Sequence, residues 1–199
     1  MLRAGRALLV ATTVLASPVL AQGPGTNFGG LIGGASLSDL GGYFGGSTTS
    51  RWGGTAGAFV GHNAGRTALM LEGYWVQKGG GSPGDVHLDY IEVPVTFGAI
   101  AVTGAGAARG RIYTGIGIGF KVSCSTDADA QVACNDANGT EWTWPIGFQI
   151  ATVKDNGTFF GVDIRYSFAL NDAFDTIDAY NRPWMFRLMF GKQLGHQGY

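Results

Sequence analysis

The sequence predicts an all-β fold: an eight-stranded antiparallel up-and-down β-barrel that crosses a membrane, with four long outer loops and short turns at the opposite end. Three observations lead to this prediction. Apolar residues alternate with small or polar ones in eight separate runs, the period expected of strands. The connections between the runs alternate between long and short. All five tryptophans fall toward one end of the predicted strands.

The first four predicted strands differ in how clearly their faces can be assigned. The first is rich in glycine, and the second alternates too weakly for an assignment. In the fourth, Ile91 and Val93 flank Glu92, as expected of an extended strand with one apolar face. In order, these runs span 27–37, 53–63, 66–78 and 87–102.

The last four predicted strands each show two distinct faces. In RIYTGIGIGFKVS, residues 111–123, large or branched residues occupy the even positions, and glycine with Arg111 and Lys121 occupies odd ones. The three runs that follow repeat this division, with rows of tryptophan, isoleucine and phenylalanine opposite glycine and isolated charges. In order, these runs span 110–123, 141–153, 157–169 and 182–194.

The composition of the face opposite the apolar one indicates which side of the sheet contacts lipid. A soluble sandwich exposes a polar face rich in lysine, glutamate and threonine, whereas here that face is mostly glycine and small residues. A membrane barrel turns its apolar face outward and its polar face inward. We therefore expect the isoleucine face of 111–123 to contact lipid. Its glycine face would leave room in the lumen for large side chains of neighbouring strands.

The lengths of the connections predict which end of the barrel faces outward. Outer-membrane barrels have long loops outside and short turns in the periplasm. The predicted long connections are 38–52, 79–86, 124–140 and 170–181, and the short ones are 64–65, 103–109 and 154–156.

Aromatic residues cluster near the outer ends of the strands so oriented. Amphipathic rings prefer the interface between lipid and water, so this clustering predicts an aromatic belt. Its predicted members are Trp52, Trp75, Trp142, Trp144, Tyr166, Phe168 and Trp184.

Four stretches resemble one family of proteins. NFGGLIGGASLSDL, LEGYWVQKGGG, LDYIEVPVTFG and GVDIRYSFAL are similar to the first, third, fourth and seventh strands of eight-stranded outer-membrane β-barrels. These are the small OmpA-like porin-type barrels of Gram-negative bacteria. The resemblance covers 22–199 and implies an outer-membrane location. Proline cannot donate a ladder hydrogen bond; the resemblance makes Pro94 normal for this family but gives no such support for Pro145.

Eight charged residues fall on the predicted lumen faces, four acidic and four basic. Charges in a cavity of low dielectric must be paired, so we expect a salt-bridge network in place of an apolar core. The interior of an eight-stranded barrel is just filled by side chains, which favours this structural role over an ion path. The predicted lumen network is Glu72, Glu92, Arg111, Lys121, Glu141, Asp163, Arg165 and Arg187.

The N-terminus predicts export. Arg3 and Arg6 precede an apolar run at 7–15, and Val19 and Ala21 fit the small-residue rule for signal cleavage. The run is too short to span a bilayer. The predicted domains are a secretory signal peptide at 1–21 and an outer-membrane barrel at 22–199.

The two cysteines of the chain, Cys124 and Cys134, lie close together in sequence. In an exported protein such a pair predicts a disulfide. Metal binding is the alternative, but neither a histidine nor a third thiol lies nearby. We expect no metal site there.

No motif in the sequence predicts catalysis or a cofactor. Lipid A deacylases need a His-x-Ser pair, and none of the three histidines has a serine two positions on. GIGIGF lacks the strand–turn–helix context of a phosphate-binding loop. Two outer loops are acidic, which predicts solvated loops, with divalent-cation binding as the alternative. Their acidic residues are Asp127, Asp129, Asp136, Asp172, Asp175 and Asp178.

These observations predict an outer-membrane protein with a structural, envelope-integrity or surface-interaction role and no enzymatic activity. Its expected partners are outer-membrane lipid, lipopolysaccharide, and host or envelope macromolecules that meet the outer loops. A formal net charge of −1 gives no footprint for nucleic acid. The first alternative is a narrow pore for ions or small solutes. The second is a secreted soluble barrel that binds an apolar ligand.

Overall fold

A computed structural model describes residues 25–42, 46–82, 84–102, 108–128, 130 and 132–194. The predicted signal peptide at 1–21 and Asp129 lie outside the described residues. The described part holds ten β-strands and one short 3-10 helix, Cys134–Asp136. It contains no helix that is long and apolar enough to cross a membrane. The strands are β1 Thr26–Ser38, β2 Leu40–Gly41, β3 Arg51–Ala64, β4 Thr67–Gly80, β5 Val86–Val102, β6 Ala108–Thr126, β7 Thr140–Val153, β8 Thr158–Ala169, β9 Tyr180–Asn181 and β10 Trp184–Leu194.

Eight of these strands form one closed antiparallel barrel. Each long strand pairs with the next long strand along the chain, and β1 closes the barrel by pairing with both β3 and β10. The short strands β2 and β9 pair with each other as a separate two-stranded sheet. The predicted up-and-down barrel is therefore confirmed. Its loop end carries the described residues of 39–50, 127–139 and 170–183, and the opposite end is the turn end.

The barrel is apolar on the outside. Side chains alternate between exposed and buried along the strands, most regularly in β10. The exposed members are mostly branched or aromatic: Ile112 is 67% exposed, Leu31 66% and Phe190 60%. An outer surface with so many exposed apolar side chains would be unstable in water. It matches the outward face of barrels that lie in lipid.

Three of the four outer connections are shorter than the sequence predicts. The clearest case lies between β4 and β5, which both extend past the predicted runs, so that only residues 81–85 connect them. At the turn end, β3 and β4 are joined by Gly65 and Arg66, and Gly65 has a φ of 61°. Glycine adopts this left-handed conformation without steric cost, which permits the tight turn.

A β-bulge near the loop end reverses the faces of β6. The pairing of β5 with β6 runs from Asp89↔Ser123 to Tyr90↔Lys121 and so passes over Val122. Beyond that point Cys124, at an even position, is partly buried, whereas even residues before it point outward. Strict alternation in the sequence cannot reveal this change, because the extra residue in a bulge shifts every later side chain.

Both prolines within the barrel lie where a ladder is interrupted. The β4–β5 pairing passes from Leu71↔Val95 to Tyr74↔Glu92, which leaves Pro94 without a partner on β4. The β6–β7 pairing passes from Thr114↔Ile146 to Gly117↔Thr143, which does the same for Pro145 on β6. Since proline has no N–H to donate, these gaps remove the conflict between the prolines and a closed barrel.

Candidate functional site

The middle of the lumen holds a cluster of four charged side chains, which we call the central network: Glu72, Asp163, Arg165 and Arg187. All four are almost fully buried. Arg187 donates from Nη2 to Asp163 Oδ2 at 2.5 Å and from Nη1 to Glu72 Oε2 at 3.0 Å. Arg165 Nη2 donates to Glu72 Oε1. Two guanidinium groups thus neutralise two carboxylates, as charges in a low-dielectric interior require.

Two tyrosines extend the central network. The Tyr113 hydroxyl donates to Asp163 Oδ1 at 2.7 Å and accepts from Arg165 Nε at 2.8 Å. The Tyr74 hydroxyl accepts from Arg165 Nη1 at 3.2 Å and donates to Glu92 Oε2 at 2.5 Å. Each hydroxyl therefore acts as donor and acceptor, and Tyr74 links the central network to the charges nearer the loop end.

Glycines supply the room that these tyrosines occupy. A Cβ added at Gly147 would lie 2.3 Å from Tyr113 Oη, and one at Gly57 would lie 2.4 Å from Tyr74 Cβ. Atoms without a bond between them cannot approach so closely. The glycine-rich face of the strands therefore has a packing reason: it accommodates large polar side chains from neighbouring strands.

Nearer the loop end lies a second charged group, the upper triad of Lys78, Glu92 and Glu141. Lys78 Nζ contacts a carboxylate oxygen of both acids, and the Asn181 amide donates to the other oxygen of Glu141. Lys78, at the end of the third predicted run, is not among the predicted lumen charges. Its position has the same parity as Glu72 on β4, and this was the available signal.

The remaining two predicted lumen cations have neutral partners among the described residues. Arg111, toward the turn end, donates from Nη1 to Gln149 Oε1 at 3.2 Å and from Nη2 to Thr96 Oγ1 at 3.0 Å. Lys121 is only partly buried, and its Nζ donates to the carbonyl of Ala137. The structure therefore joins the other six predicted charges in ion pairs, with Lys78 as an additional member.

Apolar side chains line the lumen on both sides of these charges. At the turn end, the rings of Phe28, Phe59 and Phe159 lie 6.0–6.2 Å apart, centroid to centroid. With Ile32, Met70 and Met189 they form the lower apolar cluster. The larger outer cap closes the loop end. It comprises Leu40, Tyr74, Val76, Val86, Leu88, Tyr90, Val132, Ala137, Ala173, Phe174, Ala179 and Met185.

The outer loops fold inward to build this cap. Loop residues Ala137 and Phe174 form a β-bridge, and β2 pairs with β9 through Leu40↔Asn181. The predicted disulfide between Cys124 and Cys134 is confirmed, and it ties the loop at 127–139 back to β6. The lumen is consequently polar in its middle and apolar at both ends, whereas the sequence predicts a polar lumen throughout.

The residues of the predicted aromatic belt all lie toward the loop end of their strands. Trp184 pairs in register with Leu37 and Tyr166, and Trp144 pairs with Phe168. Five of the seven are exposed on the outer surface, and Trp75 and Tyr166 are half-buried. The exposed members are Trp52, Trp142, Trp144, Phe168 and Trp184.

The described residues of the acidic loops do not gather into a metal site. Nowhere in the described part of the chain do three histidine, cysteine, aspartate or glutamate side chains come together as ligands. The loops contact each other through their backbones, as where Asp175 N donates to Asp136 O at 2.8 Å. His62 pairs with the amide oxygen of Asn27 at 2.7 Å.

Comparison with known proteins supports the fold and no more. No protein-family model matches the chain, and no curated protein matches it in sequence. Neisserial surface protein A (NspA) is similar in structure, with a TM-score of 0.54 and 9% identity over 82% of this chain and 96% of that one. Because the identity is so low, this likeness shows the barrel fold alone.

Two further structures are similar at lower scores. Ail, the attachment invasion locus protein of Yersinia pestis, gives a TM-score of 0.45 at 14% identity, covering 83% of this chain and 98% of Ail. The outer membrane protein AlkL in DMPC lipid bilayers gives 0.43 at 12% identity, covering 92% and 97%. The narrower resemblance to OmpA-like barrels stays a prediction.

Proposed function

We propose that this chain is an outer-membrane protein of a Gram-negative bacterium whose barrel is an anchor and whose outer loops act in envelope integrity or surface interaction. The observation that carries the proposal is the packing of the lumen. Among the described residues, the outer cap and the upper triad occupy its loop end, the central network its middle and the lower apolar cluster its turn end. This leaves the loops as the part of the molecule that is free to act. The proposal assigns no catalytic step to the chain.

The packing of the lumen argues against the first alternative function, a narrow pore for ions or small solutes. An ion path needs a continuous polar lining with sites that an ion can enter and leave. Here buried charges of opposite sign are bonded to each other, and an apolar layer lies on each side of them. An ion would have to break these pairs and cross both apolar layers.

The same arrangement argues against the secreted soluble barrel. That alternative needs a polar exterior and an apolar lumen. The exterior carries rows of exposed isoleucine, leucine, phenylalanine and tryptophan, and the lumen carries buried ion pairs. A continuous apolar exterior of this kind marks a surface that contacts lipid or another apolar partner.

Fractionation of expressing cells tests the membrane location. We expect the protein in the outer-membrane fraction, with a gel mobility in denaturing detergent that changes on boiling because a closed barrel resists the detergent until heated. A soluble periplasmic protein with unchanged mobility would contradict the proposal.

Planar-bilayer recording tests the anchor against the pore. We expect no discrete conductance from the reconstituted wild type, with the boiling-dependent mobility of the same sample showing that the barrel is folded. Discrete currents that change in Glu92→Gln would replace the anchor with the pore.

Deletion and complementation test the role of the loops. We expect cells that lack the protein to become more sensitive to detergent and chelator, and the wild type to restore resistance. A variant with Asp172, Asp175 and Asp178 changed to asparagine keeps the barrel but removes most of one loop's charge. Full restoration by this variant would show that the acidic side chains do not carry the role.

A further inference from the structure

The turn end of the lumen contains a cavity of about 80 Å³ that the proposed anchor role does not use. Its walls are largely apolar and include Phe28, Val153, Phe159 and Met189. At the turn-end side lie Asn63, which is half-buried, and Arg109, which is exposed. The cavity is thus an apolar recess close to the turn-end surface of the barrel.

Arg111 also lines this cavity, and no carboxylate among the described residues contacts it directly. Its side chain is 6% exposed. Among the described residues it contacts only neutral groups: Gln149, Thr96, the sulfur of Met70 at 3.6 Å, and the ring of Tyr113 at 4.9 Å. Its Nε has no hydrogen-bond partner among the described residues. A buried guanidinium that stays charged without a carboxylate is costly, so the site is prepared for an anion.

The nearby acids Glu72 and Asp163 are engaged by other groups. Both oxygens of Glu72 accept from Arg165 and Arg187. One oxygen of Asp163 accepts from Arg187 and the other from Tyr113. No aspartate or glutamate is among the described residues that line the cavity. The partner of Arg111 would therefore come from outside this set.

The size and walls of the cavity restrict the ligand. A water molecule needs roughly 10–15 Å³ of cavity volume. A cavity of about 80 Å³ therefore holds about five to eight small groups. An inorganic anion would leave the phenyl rings and methionine without contacts, and a long acyl chain would not fit. A carboxylate can accept two parallel hydrogen bonds from a guanidinium.

We propose that this turn-end cavity binds a small monocarboxylate with an apolar body, its carboxylate on Arg111 and its hydrocarbon part against Phe28 and Phe159. The site is independent of the outer loops and of any role in surface interaction. It gives the chain a ligand that enters from the turn end.

Binding of hexanoate to the purified protein, with empty micelles as the blank, tests the proposal. We expect saturable binding of hexanoate in calorimetry and a shifted carboxyl resonance of ¹³C-labelled hexanoate. Hexanol and hexylammonium have similar bodies without the negative charge, and we expect them to bind at least about tenfold more weakly. Equal binding of hexanol, or no saturable binding of hexanoate, would overturn the proposal without any variant.

Substitution of the arginine locates the site. Arg111→Gln should weaken hexanoate binding at least about tenfold and leave the weak binding of hexanol unchanged. The matched control is Arg66→Gln, which removes a positive charge at the same end of the barrel but does not line the cavity. Each variant is first checked for boiling-dependent gel mobility. Unchanged hexanoate affinity in folded Arg111→Gln would contradict the assignment.

Discussion

At the scale of single residues, burial decides what an ion pair contributes. Arg187 is buried and pairs with Glu72 and Asp163, whereas the side chains of the Arg182–Asp39 pair are 40% and 25% exposed. Removing one partner of a buried pair leaves an uncompensated charge, so we expect Arg187→Gln to lower the free energy of unfolding by about 3–5 kcal/mol. Arg182→Gln, the matched control, should cost about 0–1 kcal/mol. Urea unfolding in micelles measures both, and equal costs would contradict the central network's importance.

Glycine positions in the strands also differ in how much space they leave for an added side chain. In Gly147→Ala the added methyl must displace Tyr113 from Asp163 and Arg165, and we expect a loss of about 1–3 kcal/mol. Gly73 lies on the exposed face, and an added Cβ there meets nothing within 4 Å. Gly73→Ala should therefore change stability by less than about 0.5 kcal/mol. Both are measured by the same urea titration, and a neutral Gly147→Ala would refute the packing role of the lumen glycines.

At the scale of elements, the sequence predicts the eight barrel strands because their faces differ in chemistry at every second residue. It places the inward charges of β4, β5, β7, β8 and β10 for the same reason. The prediction is incomplete at strand ends and fails at bulges. Lys78 keeps the parity of Glu72 but lies at the last position of a predicted run, whereas Cys124 follows a bulge and alternation alone misplaces it. Bulges depend on backbone pairing between strands, which a single strand's pattern does not encode.

The disulfide anchors one element of the cap to the barrel. Cys124 and Cys134 are separated by 10 positions, and closing a loop of this length contributes about 2–3 kcal/mol in the chain-entropy account. We expect the double variant Cys124→Ser/Cys134→Ser to keep its barrel but to exchange amide hydrogens faster at 132–139 and 173–179, because these segments pack together in the cap. Amides of β1 serve as the internal control. Unchanged exchange in the loops would show that the cap does not depend on the disulfide.

At the scale of the whole molecule, the layering of the lumen could not be predicted from the sequence. The outer cap combines strand residues such as Val76 and Leu88 with loop residues such as Phe174 and Ala179. Loop residues have no periodicity that reveals where they point, so their inward folding emerges only from the three-dimensional structure. Arg111 is the reverse case: the alternation places it inward, but only the structure shows that no carboxylate in the described part of the chain contacts it.

The position of the aromatic belt predicts how the whole barrel sits in lipid. Trp52, Trp142, Trp144 and Trp184 are exposed near the loop end, where rings would meet the interface between lipid and water. We expect their fluorescence to be quenched more by lipids brominated near the headgroup than by lipids brominated near the chain end. Stronger quenching by the deeper bromine would place these tryptophans at the bilayer centre and contradict the proposed orientation.

The pairing of β1 with β10 also determines when the barrel can close during folding. Leu31 pairs with Phe190, about 160 positions later in the chain, so the circle of hydrogen bonds cannot be completed until the last strand has been synthesised and exported. Until then β1 and β8 each present a bare edge, and the apolar faces have no lipid around them. The chain is therefore most exposed to aggregation before its last strand arrives, and the pairing of β10 with β1 and β8 removes both edges at once.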